Sequence, residues 1–262
     1  MRVGVVGHVE WVEFARVPHM PGAGEIVHAT DVWDEPGGGG PVVAVQLAKL
    51  NGRCELFTAL GDDALGRRAV VRLAELGVDV HVQHDGRTRR AFTHLDSHGE
   101  RTITVLGDKL LARGPLPLGG YDAVFFVSGD AEALRAARAA RFLAATAREL
   151  PTLREANVPL DLLVGSANDP GERYDGGLDV GLVVRTDGAR GGEADGRRYE
   201  AAPVPGDVID AYGAGDSFAA ALAFALARGD DLDDALALAA RAGAAVLTGR
   251  GPYPGQLRRD DL

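Results

Sequence analysis

The sequence predicts a layered α/β fold with a mainly parallel sheet, and three observations predict it. Five runs are almost continuously apolar: RVGVVG (2–7), CELFTAL (54–60), YDAVFFVSG (121–129), LDLLVGSA (160–167) and DVGLVVRT (179–186). Such runs suit strands whose two faces are both covered, as in a parallel sheet between helices. Helical stretches at 41–50, 65–76, 131–150, 217–228 and 232–247 alternate with them or follow them, which is the arrangement of a sheet flanked by helices. Two further segments, 8–33 and 80–106, alternate polar with apolar residues and carry turn signals. They predict antiparallel strands with one wet face, paired as a small sheet outside the main layer. The pattern alone fits surface hairpins as well as a lid.

Along the chain, the opening VGVVGHV is interrupted at Glu10, lacks a cleavage pattern and is too short for a signal segment, so it reads as the first strand. GEADGR (192–197) reads as a hairpin tip, and no fixed-period repeat or low-complexity linker divides the chain. The longest apolar run, 219–227, is nine residues closed by Arg228, far short of a membrane span. One domain over 1–262 is expected, in the cytoplasm.

Composition narrows the function. The 262 residues carry a formal net charge of −10, with two lysines, Lys49 and Lys109, and no basic run. That balance argues against a sequence-independent grip on nucleic acid or an anionic membrane and favours a small diffusible substrate. Cys54 stands alone, which rules out an intrachain disulfide. Neither lysine lies in a Walker loop, the strings HRD and DFG are absent, and no GxGxxG follows the first strand. The histidines form no HExxH, and His94 and His98 fall in an expected hairpin, so a zinc site is not expected.

The stretch VIDAYGAGDSFAAALAFALARG (208–229) places a flexible GAG between what reads as a buried strand and an alanine-rich helix. Glycines there allow successive N–H groups to converge on one point, and the helix start adds its positive dipole end, which together make an anion site. Asp216 sits in the first helical turn. A carboxylate facing an anion makes sense if it accepts a proton from a hydroxyl while the amides of Gly213, Ala214 and Gly215 stabilise a phosphoryl group under attack. The same four letters also fit a capped helix with tightly packed glycines.

IDAYGAGDSF resembles the D-[TA]-x-G-A-G-D signature of the ribokinase-like (PfkB) carbohydrate kinase family. PGGGGPVVAVQLAKLNG (36–52) is similar to that family's glycine-pair and helix motif, LGDDALG (60–66) to its G-x-D-x-x-G element and HGERTI (98–103) to its lid-strand turn. RTDGARGG (185–192) matches its nucleotide loop at Thr186, Gly188 and Gly191. The resemblance covers nearly the whole chain. It implies a three-layer ribokinase-like fold with a β-sheet lid from 8–33 and 80–106. It also implies transfer of the γ-phosphate of ATP to a sugar or nucleoside hydroxyl, with Asp216 as base and Gly213, Ala214 and Gly215 as anion hole. By the same resemblance Gly37, Gly38, Gly39 and Asp210 are expected at the substrate, with Glu10 there as a replacement contact, a monovalent cation such as K⁺ near the loop, RGPYPGQL (250–257) beside the adenine, and a homodimer through the lid.

Two places depart from the family pattern. Val42 stands where the glycine-pair helix has an asparagine, and Glu10 and Val12 stand where the first strand leads into N-x-D. Two expected hydroxyl contacts are missing; His8, Glu10, Glu13 and Gln46 are candidates to replace them, and Trp11 could cover a ring. The Mg²⁺-associated N-x-x-E becomes Asp169 and Glu172, which could orient a hydrated ion or could simply form a turn. Arg101, Arg185 and Arg190 could reach phosphates or face solvent. An ATP- and Mg²⁺-dependent small-molecule kinase is the leading expectation, and a non-catalytic binding protein on the same fold is the alternative.

Overall fold

The computed structural model describes residues 1–262. In chain order the strands and helices are β1 (Val3–Val6), β2 (Glu10–Arg16), β3 (Asp31–Gly37), α1 (Gly39–Asn51), β4 (Cys54–Leu60), α2 (Ala64–Glu75), β5 (Val78–His84), β6 (Arg90–Leu95) and β7 (Arg101–Leu106). There follow β8 (Ala123–Phe126), α3 (Ala131–Ala137), β9 (Phe142–Thr146), α4 (Leu150–Ala156), β10 (Leu160–Ser166), β11 (Val180–Thr186), β12 (Gly192–Ala194), β13 (Arg197–Tyr199), α5 (Ala214–Arg228) and α6 (Leu232–Val246). The main sheet runs β13-β12-β11-β10-β9-β8-β1-β4-β5, parallel except for the terminal β11-β12-β13 hairpins. Asp195 and Gly196 turn between β12 and β13, both in positive φ, as the hairpin-tip reading expected.

Each face of this sheet is covered by its own apolar layer, which is why its strands read as unbroken apolar runs. On one face α1, α2, α5 and α6 close over a cluster that includes Val5, Leu56, Phe125, Leu73, Leu222 and Ala239. On the other, α3 and α4 close over Val6, Phe126, Leu134, Leu143, Leu153 and Leu163. No helix is long and apolar enough to cross a membrane.

Several expectations are corrected, among them the buried strand before GAG, since residues 201–211 form no strand and Val208 and Ile209 are exposed. The stretch 131–150 is not one helix: Phe142–Thr146 forms β9, held between β8 and β10 with Phe125 opposite Ala144 and Leu163 opposite Ala145. Its alanines favour a helix, but the vacancy between two parallel strands overrides that propensity. Residues 80–84 belong to β5 at the edge of the main sheet, paired with β4. An edge strand covered on one side alternates in burial, and that alternation imitated a wet-faced hairpin. The second sheet, β3-β2-β6-β7, is mixed, because β2 and β6 run parallel. Segment 8–33 contributes β2 and only the beginning of β3, since 17–30 is a connection without strand.

Strand order positions the site. From β1 the chain moves outward to β4 and β5, then crosses to β8 and moves the other way through β9, β10 and β11. The reversal lies between β1 and β8, and ligands of open α/β sheets bind outside the carboxyl ends of the strands at such a point. Helix α1 reaches it by close backbone contact: a Cβ on Gly40 would come 2.6 Å from the carbonyl oxygen of His8 and 2.9 Å from the carbonyl carbon of Gly7. Gly40→Ala must push these backbones apart. A loss of about 1–3 kcal/mol in stability, of the size seen for overpacked cores, is expected from denaturant titration; an unchanged midpoint would show that this contact yields freely.

Candidate active site

A cleft of 340 Å³ opens at the carboxyl ends of β8–β11. Thr146 and Arg148 enter it after β9, Ser166, Asp169 and Glu172 at and after β10, and Thr186 and Gly188 at and after β11. The first turn of α5 forms another wall with Gly213, Ala214, Gly215 and Asp216. A larger, more open groove of 400 Å³ lies between α2 and the second sheet, but its Arg68 and Arg72 are already paired with Asp34 and Glu35. That groove is therefore the weaker candidate.

Two helix N-termini converge on the Asp216 carboxylate, and neither has a side-chain cap. Gly213, at φ 86°, turns the chain into α5; a Cβ there would meet Val42 Cγ1 at 2.9 Å. From α1, Gly39 faces the acid so closely that a Cβ would come 3.2 Å from Asp216 Oδ1. Asp216 is half-buried, and its pKa is raised to about 6. Removal from water is the main cause; Arg101 opposes it, Glu172 adds to it and Arg148 opposes it. The result is a carboxylate that is ionised at neutral pH yet close enough to its pKa to take a proton.

Asp169 and Glu172 share one partner, with Arg148 Nη2 2.7 Å from the first and 2.6 Å from the second. Each is also fixed by the backbone: Glu172 Oε2 accepts from Ser166 N–H at 2.7 Å, and Asp169 Oδ1 from Gly171 N–H at 2.8 Å. Hard oxygen donors lining a cleft are the set that a hydrated Mg²⁺ takes. These two residues fit such an ion, with Arg148 neutralising them otherwise.

The remaining expected site residues divide. Thr186 and Gly188 line the cleft, whereas Gly191 acts through backbone alone: at φ 82° a Cβ would fall 2.0 Å from the Tyr199 carbonyl oxygen. Gly37, Gly38 and Gly39 lead into α1, and the N–H of Gly38 donates to Tyr212 Oη at 2.9 Å. Glu10 is buried and lies 3.3 Å from Arg89; burial raises its pKa while Arg89 and Lys109 oppose the rise. Asp210 does not face the cleft. It is fully buried, with Oδ1 accepting from Tyr212 N–H at 2.8 Å and Oδ2 from Gly251 N–H at 3.0 Å, so it fixes the loop before α5.

Val12 and Val42 do not wall the cleft. Both are fully buried, in a small cluster with Phe14, Ala91, Leu95 and Tyr212 that joins the second sheet to α1. Gln46 is buried and donates to the Leu257 carbonyl, and Glu13 is paired with Arg90, which removes both as substitutes. Trp11 packs beneath Arg68. Arg101 reaches the Ala211 carbonyl, Arg185 lies 3.6 Å from Glu193 and Arg190 is tied to Asp187. Tyr253 and Gln256, in the expected adenine border, are buried and bond to Pro36 and Val42 carbonyls, so they pack beneath α1. Arg148 and Tyr212 carry no motif of their own; Tyr212 lay inside the signature and Arg148 in a stretch read as helix.

The family model described as "pfkB family carbohydrate kinase" matches residues 2–130 and 128–258. The aminoimidazole riboside kinase of Salmonella typhimurium is 28% identical over 276 residues, covering 85% of this chain and 86% of that protein. A ribokinase of Dictyostelium discoideum is 31% identical over 108 residues, 40% of this chain and about a third (34%) of that protein's length. Among solved structures, an Arabidopsis thaliana ribokinase complexed with ribose and ATP superposes with a TM-score of 0.74 at 21% identity, over 99% of this chain and 96% of that one.

The raised pKa of Asp216 makes a stability prediction independent of any activity. An acid whose folded pKa lies above its unfolded value costs the fold stability once pH exceeds that window, here from about 4 to about 6. Asp216→Asn should therefore stabilise the protein at pH 8 by about 1–3 kcal/mol and leave it unchanged near pH 3.5. Equal midpoints at both pH values would refute the strained carboxylate.

Proposed function

The chain belongs to the pfkB family of carbohydrate kinases, phosphotransferases of the sugar and nucleoside kinase class, and on that premise we propose that it transfers the γ-phosphate of ATP to a hydroxyl of a sugar or nucleoside, with Asp216 as the base. One observation carries this reading: an ionisable carboxylate with its pKa near 6 stands where the uncapped N-termini of α1 and α5 meet.

The alcohol lies against Gly38 and Gly39 with its hydroxyl toward Asp216 Oδ1. As the alcohol oxygen attacks the γ-phosphorus, its proton passes to Asp216 and the bond from phosphorus to the bridging oxygen of ADP breaks. The first-turn amides at Gly213, Ala214 and Gly215 face the negative charge that accumulates on the transferring group, where a preorganised helix start costs no reorganisation. Thr186 and Gly188 border the side of the cleft assigned to the nucleotide. Asp169 and Glu172 would hold a hydrated Mg²⁺, which when bound would neutralise phosphate charge. Arg148, between those acids, limits their mutual repulsion. A monovalent cation held by backbone carbonyls beside the loop, a cytoplasmic location, and closure of the second sheet as a lid belong to the same reading. Exposed Val32, Val105 and Leu106 on that sheet support a homodimer through it.

The test is ADP release from ATP with Mg²⁺ and K⁺ across D-ribose, D-fructose and a set of nucleosides. Acceptor-dependent turnover is expected for the wild type, with kcat about 10²–10⁴-fold lower in Asp216→Asn, the usual range for loss of a positioned base. Turnover unaffected by that change would overturn the mechanism. Acceptor binding without any turnover would favour the non-catalytic alternative.

A further inference from the structure

His8 leaves β1 at the point where strand order reverses, and its ring rests on the backbone of the glycine pair. A Cβ on Gly38 would come 2.9 Å from His8 Nε2. Behind the ring stands Ser128, fully buried, in the segment that follows β8. The backbone N–H of His8 donates to Ser128 Oγ at 2.8 Å, and His8 Nδ1 lies 2.9 Å from the same oxygen. The Ser128 hydroxyl has one hydrogen to give and no partner other than His8. The assignment that satisfies both the Ser128 hydroxyl and Nδ1 is Ser128 O–H donating to Nδ1, which leaves the ring hydrogen on Nε2.

Nε2 has no protein partner, although it lies beside the glycines that border Asp216. The ring is also kept uncharged: burial, then Lys109, Arg89 and Arg148, push its pKa down to about 3. These cations come from three separate connections of the chain and are themselves engaged, Lys109 with Glu149, Arg89 near Glu10, and Arg148 with Asp169 and Glu172. With Val12 and Val42 withdrawn into the core, and Glu10 facing Arg89, His8 is the polar side chain left free beside Gly38.

We infer that His8 is a specificity-determining residue of the alcohol subsite, its Nε2–H donating to an oxygen of the acceptor other than the one phosphorylated, across the glycine pair from Asp216. A donor of this kind suits a hydroxyl or ring oxygen of the sugar or nucleoside acceptor that the kinase reading already assigns. The inference rests on the kinase reading of the cleft.

The test compares His8→Gln, whose amide nitrogen reaches the place of Nε2, with His8→Asn, whose amide reaches only the place of Nδ1. With D-ribose or D-fructose as acceptor, His8→Asn should raise the acceptor KM about tenfold, the worth of one hydrogen bond, and leave the KM for ATP within about twofold. His8→Gln should recover most of the loss. Equal effects of both variants, or none, would overturn the assignment. If the wild type phosphorylates neither sugar, the kinase reading fails for these acceptors, and long-range ¹H–¹⁵N NMR of the wild type decides the histidine separately. An Nε2–H tautomer unchanged between about pH 5 and 8, whose signal moves on adding D-ribose or D-fructose, supports the inference. An Nδ1–H tautomer, a titration midpoint inside that range, or a signal indifferent to both sugars overturns it.

Discussion

The site depends on one close backbone contact. Gly40 lies against the chain leaving β1 so tightly that neither Gly7 nor Gly40 has room for a Cβ: one on Gly7 would fall 2.6 Å from Gly40 Cα. That contact sets the uncapped start of α1 at the carboxyl end of β1. It requires glycine at Gly40, while Val12 presses on Gly37, Gly38 has a φ of 86° and Val127 presses on Gly39, and the position of Gly39 opposite Asp216 follows from these contacts together. Tyr212 fastens the same turn from the other side through Gly38, and Asp210 in turn fastens Tyr212. Chemistry and fold therefore share these residues, and a change to any of them is felt in both.

Electrostatics at this point set stability against function. The helix starts of α1 and α5 offer unpaired N–H groups that favour an anion, while burial disfavours the charge on Asp216. A helix-capping acid would settle the conflict by bonding to the amides. Asp216 instead stands toward Gly39, and the amides remain for another anion. The cleft thus holds one carboxylate near its titration point and a preorganised place for negative charge beside it, which is the pairing that phosphoryl transfer to an alcohol uses.

Much of this was legible in the sequence, for identifiable reasons. Buried parallel strands announce themselves as apolar runs, and GAGD announces a helix start because only glycine tolerates the φ of Gly213. The failures have a common physical origin in tertiary context. FLAAT at 142–146 is a strand because β8 and β10 leave a vacancy for it, which no local propensity records. The edge position of β5 imitated a hairpin, and what the motif alone could not tell is that Val12 and Val42 pack in the core that joins the second sheet to α1. Asp210, placed at the substrate from the motif, is consumed by two backbone N–H groups. Ser128 behind His8 could not be foreseen, since the two are 120 residues apart and meet only through the pairing of β1 with β8.

In the proposed reaction an ionised Asp216 with a pKa near 6 removes the proton of the attacking alcohol. The most direct measurement is the pH dependence of kcat/KM for the acceptor, at saturating ATP and Mg²⁺. The rate should rise about tenfold per pH unit up to a bend near pH 6 and level off above it, because only the deprotonated acid can accept the proton. A profile that stays flat well below pH 6, or that falls as pH rises through that value, would contradict it.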